Sequence, residues 1–296
     1  MSWEALKGRL HGAFAFPVTP FKADDWMELD EEGLRANIKF LVKNGVRKMV
    51  PCAGTGELPS LTEEEHRRAV KTVAETAGKD ALVAPGIPGS TKQALQAARF
   101  FEELGLEAVL AFPPAGREAG IQLHYETLAQ SVHLGLIVYN TQGWTPQFIA
   151  QLSRIPTVVA LKDEMSELRS FARTARLVGD RIVLIGGVDH GAAVAPQYFT
   201  AGMKGFTCGL INFAPKYELG IYEAAVRKDY DRVVQLQQTL APLAEFRSKV
   251  GSVSVVKAAM DMVGLAGGPP RPPHVKLTEE ERKELKRLLA DLGLQV

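Results

Sequence analysis

The stretch Thr157-Val158-Val159-Ala160-Leu161-Lys162-Asp163 determines how the rest of the chain is interpreted. Its apolar residues follow one another without a polar interruption, which is typical of a strand buried on both faces. Lys162 stands at the end of this run, where burial disfavours the charged form of an amine. A neutral amine in a dry pocket can attack a carbonyl and form a Schiff base. The alternative is a strand-end lysine with a buried stem and a solvated charge.

Eight apolar runs of this kind occur along the chain, and an amphipathic segment follows each of them. The apolar runs span residues 12–18, 48–53, 81–87, 108–113, 134–139, 157–162, 182–187 and 205–210. The helical patterns span residues 30–44, 62–77, 90–104, 121–133, 146–154, 166–178, 191–201 and 214–228. Alternation of strand and helix predicts a parallel sheet, and eight repeats close a barrel. The predicted fold class is therefore α/β, a (β/α)8 TIM barrel with a C-terminal helical extension.

The chain is predicted to form one structural unit with two parts. Residues 1–228 are expected to form the barrel, preceded by a short amphipathic helix. Residues 229–296 are expected to form a helical cap, with helices over 229–259, broken near Gly251, and over 278–292. The proline-rich segment 267–273 between these helices is interpreted as a stiff, extended connector.

Composition excludes several classes of partner. The 296 residues carry a formal net charge of +1, which gives no reason to expect nucleic acid or an acidic membrane surface. No apolar run reaches the ~20 residues that span a bilayer, and the N-terminus lacks the apolar core of a signal peptide. Two cysteines cannot form a disulfide framework and indicate a reducing compartment. We expect a cytoplasmic protein.

In TIM barrels the chemistry lies at the carboxyl ends of the strands, so these ends supply the candidate site residues. The loop after the second run contains Gly54 and Thr55, whose N–H groups and hydroxyl suit an anion such as a carboxylate. Tyr139 ends the fifth run, beside the strand of Lys162, and can relay a proton. Asp163 is expected to face the other side of its strand. For the loop and the tyrosine, a tight turn and a core aromatic remain the structural alternatives.

Other features favour different functions. Gly187 and Gly209, after the seventh and eighth runs, also fit a barrel that binds phosphate. His190 follows the seventh run, and we interpret it as a hydrogen-bonded loop histidine. The six histidines show no two-apart or four-apart pairing of the metal-binding kind. The sequence therefore predicts neither a metal nor a cofactor.

A set of short motifs resembles the dihydrodipicolinate synthase / N-acetylneuraminate lyase family of Schiff-base lyases. They are Thr19-Pro20-Phe21, Gly54-Thr55-Gly56-Glu57, Leu61-Thr62-Glu63-Glu64-Glu65, Val138-Tyr139-Asn140, Leu161-Lys162-Asp163, Gly186-Gly187 and Asn212. The resemblance implies that Lys162 forms the Schiff base and Tyr139 shuttles protons. It also implies that Gly54 and Thr55 hold the carboxylate of a 2-oxo acid, and that Gly187 and Thr207 line the substrate pocket. A homotetramer, built as a dimer of dimers, is the implied assembly.

Three departures separate the chain from the synthase branch of that family. Gly54 replaces the first threonine of its proton relay, and Pro114-Ala115-Gly116 replaces the relay's second tyrosine. The segment Thr141-Gln142-Gly143 lacks the arginine that binds the second substrate. The pattern instead resembles 5-dehydro-4-deoxyglucarate dehydratases, as shown by Ala53-Gly54-Thr55-Gly56-Glu57, Pro113-Pro114, Asn212-Phe213-Ala214-Pro215 and Arg271-Pro272-Pro273.

The expected function is a class I lyase acting on a 2-oxo acid, namely a dehydratase or aldolase of a sugar acid. Dihydrodipicolinate synthase or another pyruvate-dependent aldolase is the alternative within the family. A non-catalytic protein that binds a 2-oxo acid is the alternative of another class.

Overall fold

The strands that the structure describes are all paired in parallel. The computed structural model describes residues 2–187 and 190–296. In these residues there are nine strands: β1 (Gly12–Phe14), β2 (Lys48–Met49), β3 (Leu82–Val83), β4 (Gly86–Ile87), β5 (Ala108–Ala111), β6 (Gly135–Asn140), β7 (Val158–Asp163), β8 (Val183–Gly187) and β9 (Gly205–Thr207). One sheet has the order β1-β9-β8-β7-β6-β5-β4, and β2 pairs with β3 in another. The predicted parallel α/β architecture is confirmed.

The two sheets are joined by short backbone contacts. Strands β3 and β4 are two halves of the third predicted run, and Pro85 between them has no N–H to donate to a ladder. Ala15, directly after β1, forms a bridge with Met49 of β2. The N–H of Gly86 donates to the carbonyl of Pro51 at 2.9 Å. Hydrogen bonds therefore lead from strand to strand across both sheets, although most strands are shorter than the apolar runs that predicted them.

Helices lie between most of the strands, and seven of the twelve described helices begin at a residue whose side chain accepts a hydrogen bond from the first turn. They are α1 (Trp3–Arg9), α2 (Glu31–Lys43), α3 (Glu63–Ala77), α4 (Thr91–Glu103), α5 (Glu118–Ser131), α6 (Pro146–Leu152), α7 (Leu168–Val178), α8 (Ala195–Thr200), α9 (Pro215–Val226), α10 (Tyr230–Val250), α11 (Ser252–Met262) and α12 (Glu279–Asp291). Thr62 and Glu65 form a reciprocal capping box at the start of α3. Gly45 and Gly105, which follow α2 and α4, have positive φ angles of 86° and 77°, as helix-terminating glycines do.

Buried side chains form two layers because alternate strand residues point to opposite faces. Ile137 and Tyr139 of β6 belong to an inner cluster, whereas Leu136 and Val138 belong to an outer cluster with the helices. Two leucines at α1, Leu6 and Leu10, pack into the inner cluster. The alternation along β6 therefore places Tyr139 in the inner cluster of buried side chains.

The C-terminal helices pack against the rest of the chain. Helix α10 contacts α9 and α12, and α11 contacts α12. The chain turns between α10 and α11 at Gly251, where φ is 138°, as the predicted break requires. The connector after α11 is anchored by Arg271, which is 6 % exposed and forms an ion pair with Glu65.

Within the described residues, no helix combines the length and the apolar character needed to cross a membrane. Cys52 and Cys208 are both buried free thiols.

Candidate active site

Lys162 lies where strand β7 meets a polar cavity. Every residue of β7 is buried, and Lys162 itself is only 1 % exposed. In the ladder with β6 it stands directly opposite Tyr139. Its Nζ lies 5.6 Å from the centroid of the tyrosine ring and forms an ion pair with Glu164. The sequence thus places one buried amine and one phenol side by side.

Tyr139 is held by packing and by a hydrogen bond. Its ring meets Phe112 edge to face at a centroid distance of 5.0 Å, and its hydroxyl donates to Glu164 Oε2 at 3.3 Å. Burial raises the pKa of the Tyr139 hydroxyl above its usual value, and the negative charge of Glu164 raises it further. The phenol is therefore a proton donor at neutral pH.

The loop after β2 is fixed from both sides. Thr19 donates its hydroxyl hydrogen to the carbonyl of Gly56 at 2.7 Å, and Lys257 forms a buried ion pair with Glu57. A Cβ at Gly54 would meet no atom within 4 Å, so the fold does not require glycine there. Gly54 and Thr55 instead border open space, where backbone and hydroxyl can contact a ligand.

The predicted substrate-binding residues border a single cavity of about 520 Å³. Gly54, Thr55, Tyr139, Gly187 and Thr207 all line it. Lys162 lies just below this lining, since a Cβ placed at Gly187 would be 3.6 Å from its Nζ. Val188 and Asp189, which directly follow the seventh run, lie outside the described residues.

Two charged side chains of the cavity were not among the predicted site residues. Glu164 follows Lys162 by two positions, so the period of a strand places both on one face, and this signal was available in the sequence. Arg247 lies on α10, and its Nη1 would be 2.8 Å from a Cβ at Gly209. No motif in the sequence indicates this arginine, because it lies on a helix that is remote in sequence from the strand ends.

The remaining polar residues have structural roles. Asp163 accepts a hydrogen bond from Asn140 Nδ2 at 2.9 Å and faces away from the cavity, as expected. His190 is 1 % exposed, and its Nε2 lies 2.9 Å from Glu218 Oε1 and 3.2 Å from Cys208 Sγ. Burial opposes a charge on this imidazole, but Glu218 and Cys208 together outweigh burial and raise the pKa of His190. These three side chains are close enough to share an ion, a grouping that sequence spacing did not indicate.

Comparisons with known proteins find similarity along nearly the whole chain. The model of the dihydrodipicolinate synthetase family matches residues 9–292. A probable 5-dehydro-4-deoxyglucarate dehydratase from Ralstonia nicotianae is 35 % identical over 294 residues, covering 95 % of this chain and 93 % of the relative. Another from Pseudomonas putida is 31 % identical over the full length of both chains. The dihydrodipicolinate synthase of Oceanobacillus iheyensis has a similar structure, with a TM-score of 0.92, 25 % identity and 99 % of each chain covered.

The fold and the buried lysine define a class of enzyme, a lyase that works through a lysine Schiff base. The chain belongs to the dihydrodipicolinate synthetase family. The resemblance predicted from the sequence motifs is confirmed.

Proposed function

We propose that this protein is a dehydratase that acts on a 2-oxo sugar diacid of the 5-dehydro-4-deoxyglucarate type, with Lys162 as the nucleophile. One observation carries the proposal: Lys162 is almost fully buried, yet it lies just below the lining of a polar cavity, with its Nζ 5.6 Å from the centroid of the Tyr139 ring. Attack of its Nζ on the 2-oxo carbon forms a carbinolamine. Loss of water from this intermediate leaves an iminium. Tyr139 gives the departing hydroxyl a proton and regains one from the ammonium form of Lys162, so the phenol is protonated again once the iminium has formed.

The cavity offers a site for each end of a diacid. The N–H groups of the loop at Gly54 and Thr55, with the threonine hydroxyl, suit the carboxylate beside the 2-oxo group. Gly187 and Thr207 border the same cavity. Arg247 supplies a cation for the second carboxylate, since a guanidinium binds carboxylates with two parallel hydrogen bonds. Ser248 and Ser252, beside it on the cavity wall, add hydroxyl donors.

The names of the curated relatives support this substrate class. Those described above are probable 5-dehydro-4-deoxyglucarate dehydratases, whose substrate is a 2-oxo sugar diacid. The C4 hydroxyl of such a substrate is β to the iminium and leaves as water once a C3 proton is removed. Decarboxylation at the distal end then becomes feasible, because the conjugated iminium accepts the electron pair of the broken C–C bond.

The alternative functions meet specific obstacles. Dihydrodipicolinate synthase would need hydroxyl and aromatic groups where this chain has Gly54 and Ala115. A phosphate site at Gly187 would place the anion against the Glu164 carboxylate, whose Oε1 is 3.4 Å from a Cβ at that glycine. A protein that only binds 2-oxo acids would not need a buried lysine paired with a tyrosine.

The same proposal includes the architecture and assembly of the enzyme. We propose that the parallel strands close into a (β/α)8 barrel, with residues 229–296 as a helical cap, and that the enzyme is a cytoplasmic homotetramer arranged as a dimer of dimers. Light scattering coupled to gel filtration measures the mass directly. A mass of about four chains supports the tetramer, and a monomer at micromolar concentration contradicts it.

Borohydride trapping tests the central claim. The protein is incubated with 5-dehydro-4-deoxyglucarate or pyruvate, reduced, digested and analysed by mass spectrometry. Adduct mass should appear on the peptide that contains Lys162, and the Lys162→Ala variant should lose both adduct and turnover. Lys204→Ala, which removes an exposed lysine, is the matched control and should keep both. An adduct on another lysine, or none with either compound, would refute the mechanism.

A further inference from the structure

Glu164 is the acidic side chain closest to the reacting amine. Glu164 lies two residues after Lys162, so both side chains are on the same face of the chain. There the Glu164 carboxylate pairs with the Lys162 ammonium. Its Oε2 also accepts the hydrogen bond from Tyr139. The side chain is 48 % exposed and lines the cavity. The Glu164 carboxylate therefore contacts both the Lys162 amine and the Tyr139 hydroxyl, and it borders the cavity that a substrate would occupy.

The charges around Glu164 keep it ionised. Lys162 and Arg247 face it as cations, Tyr139 donates a hydrogen bond to it, and Asp163 is the nearby anion. Burial raises the pKa of the Glu164 carboxyl, but the charges of Lys162 and Arg247 and the hydrogen bonds from Lys162 and Tyr139 together lower it more, so the pKa lies below its ordinary value. At neutral pH the group is a carboxylate that can accept a proton.

The reaction needs such an acceptor. Once the iminium has formed, a proton must leave C3 of the substrate before the C4 hydroxyl can be expelled. Tyr139 is poorly suited to remove it, because burial and the neighbouring anion keep the phenol protonated. The described residues that line the cavity include one other ionisable oxygen group, and it is Glu164.

We propose that Glu164 is the catalytic base that takes the C3 proton from the Schiff base on Lys162. This inference rests on the proposed function, since it requires the iminium. The C3–H electron pair becomes the C2–C3 double bond of an enamine, and the iminium nitrogen receives the C2–N π pair. The enamine then expels the C4 hydroxyl, which takes the proton held by Glu164, through Tyr139, and departs as water. Proton and hydroxyl together make the single water that is lost.

The base can be tested separately from the nucleophile with 2-oxoadipate. This diacid has the six-carbon length of the proposed substrate but no C4 hydroxyl, so its reaction stops at the enamine. Proton NMR in D₂O measures exchange of its C3 hydrogens, and borohydride trapping measures its Schiff base. The wild type should show both exchange and trapping. In Glu164→Gln, trapping should persist while C3 exchange falls by about 10²–10⁴, the usual contribution of general base catalysis.

Two further variants distinguish a base from a residue that merely positions Lys162. Glu164→Asp should retain part of the exchange rate, and added formate should restore exchange in Glu164→Ala. If Glu164 only paired with the Lys162 ammonium, its removal would leave the exchange rate no lower than in the wild type.

The outcomes separate the two proposals. Exchange in Glu164→Gln within about threefold of wild type would overturn the role of Glu164, as would loss of trapping in a folded Glu164→Gln. If that variant fails to fold, the formate response of Glu164→Ala decides the question, and an absent response overturns the role. Loss of trapping in the wild type would instead refute the Schiff-base function.

Discussion

At the scale of single residues, Tyr139 should control the rate of the reaction. Its hydroxyl lies 3.3 Å from Glu164 and is the phenol nearest the reacting amine. Loss of a general acid usually costs about 10²–10⁴ in rate, so Tyr139→Phe should lower kcat by that factor and change KM little. Steady-state assays measure both parameters. A near-native kcat in a folded Tyr139→Phe variant would show that another group donates the proton.

Thr55 should act on binding instead. In the proposed mechanism its hydroxyl and N–H bind the carboxylate in ground state and transition state alike, so its loss should appear mainly in KM. A hydrogen bond to a charged group is worth about 1.5–3 kcal/mol, so Thr55→Ala should raise KM about tenfold to a hundredfold. Thr55→Ser keeps the hydroxyl and should remain close to wild type. A change confined to kcat in Thr55→Ala would contradict this role.

Arg247 should select diacids over monoacids. Its guanidinium fits over Gly209, where a Cβ would lie 2.8 Å from Nη1. Arg247→Gln should therefore raise KM for the diacid by a factor of about ten to a hundred, while the trapping of pyruvate by Lys162 continues. Gly209→Ala should have a weaker effect in the same direction because it displaces the guanidinium. Equal losses of binding with diacid and monoacid would show that Arg247 does not bind the second carboxylate.

At the scale of elements, a buried ion pair connects helix α11 to the loop of Gly54. Lys257 and Glu57 are each 1 % exposed, and Glu57 also accepts a hydrogen bond from the backbone N–H of Arg271 at 2.9 Å. Removal of one partner leaves a buried charge, which typically costs 3–5 kcal/mol. Lys257→Met should lower the free energy of unfolding by about that amount, as urea titration would measure.

The double variant provides the matched control for that loss. Glu57→Gln keeps an acceptor for the Arg271 N–H but carries no charge, so Lys257→Met combined with Glu57→Gln should regain part of the stability. If Lys257→Met alone unfolds at the wild-type urea concentration, the pair contributes nothing measurable to the fold.

The strands and helices also show how much of the fold and of the site could be predicted from the sequence. Apolar runs and intervening amphipathic segments predicted the order of strands and helices, because burial on both faces imposes that pattern. The rule that strand ends carry the chemistry then placed Lys162 and Tyr139 together. The predicted strands were longer than the observed ones, because side chains remain buried beyond the residues whose backbones pair in the sheet. Arg247 could not be predicted, since its position depends on how α10 packs across the cavity.

At the scale of the whole molecule, buried histidines should set the response of stability to pH. His66 and His124 are 5 % and 2 % exposed, and burial lowers the pKa of each to about 4. Between the unfolded value of 6.5 and about 4, the unfolded chain binds protons that the folded chain does not. Their stabilising effect is complete above 6.5 and is lost as pH falls through this range. The loss from His66 is up to about 3 kcal/mol.

His190 acts with the opposite sign. Its pKa is raised in the folded protein, where Glu218 faces its ring, so the charged pair contributes fully below the unfolded value of 6.5. That contribution is lost as pH rises through the raised pKa of the folded state. Stability should therefore decline on both sides of a maximum, and different histidines should cause the two declines.

Single variants can assign the acidic decline. In His66→Gln an amide replaces the ring that contacts the Gly86 carbonyl at 2.9 Å, so a hydrogen bond is kept and the titration is removed. The free energy of unfolding, measured by urea titration at pH values from 4 to 8, should fall less steeply below pH 6.5 than in the wild type. His133→Gln, at an exposed position, is the control and should reproduce the wild-type slope. Identical slopes for His66→Gln and wild type would mean that His66 takes up its proton in the folded state as readily as in the unfolded chain.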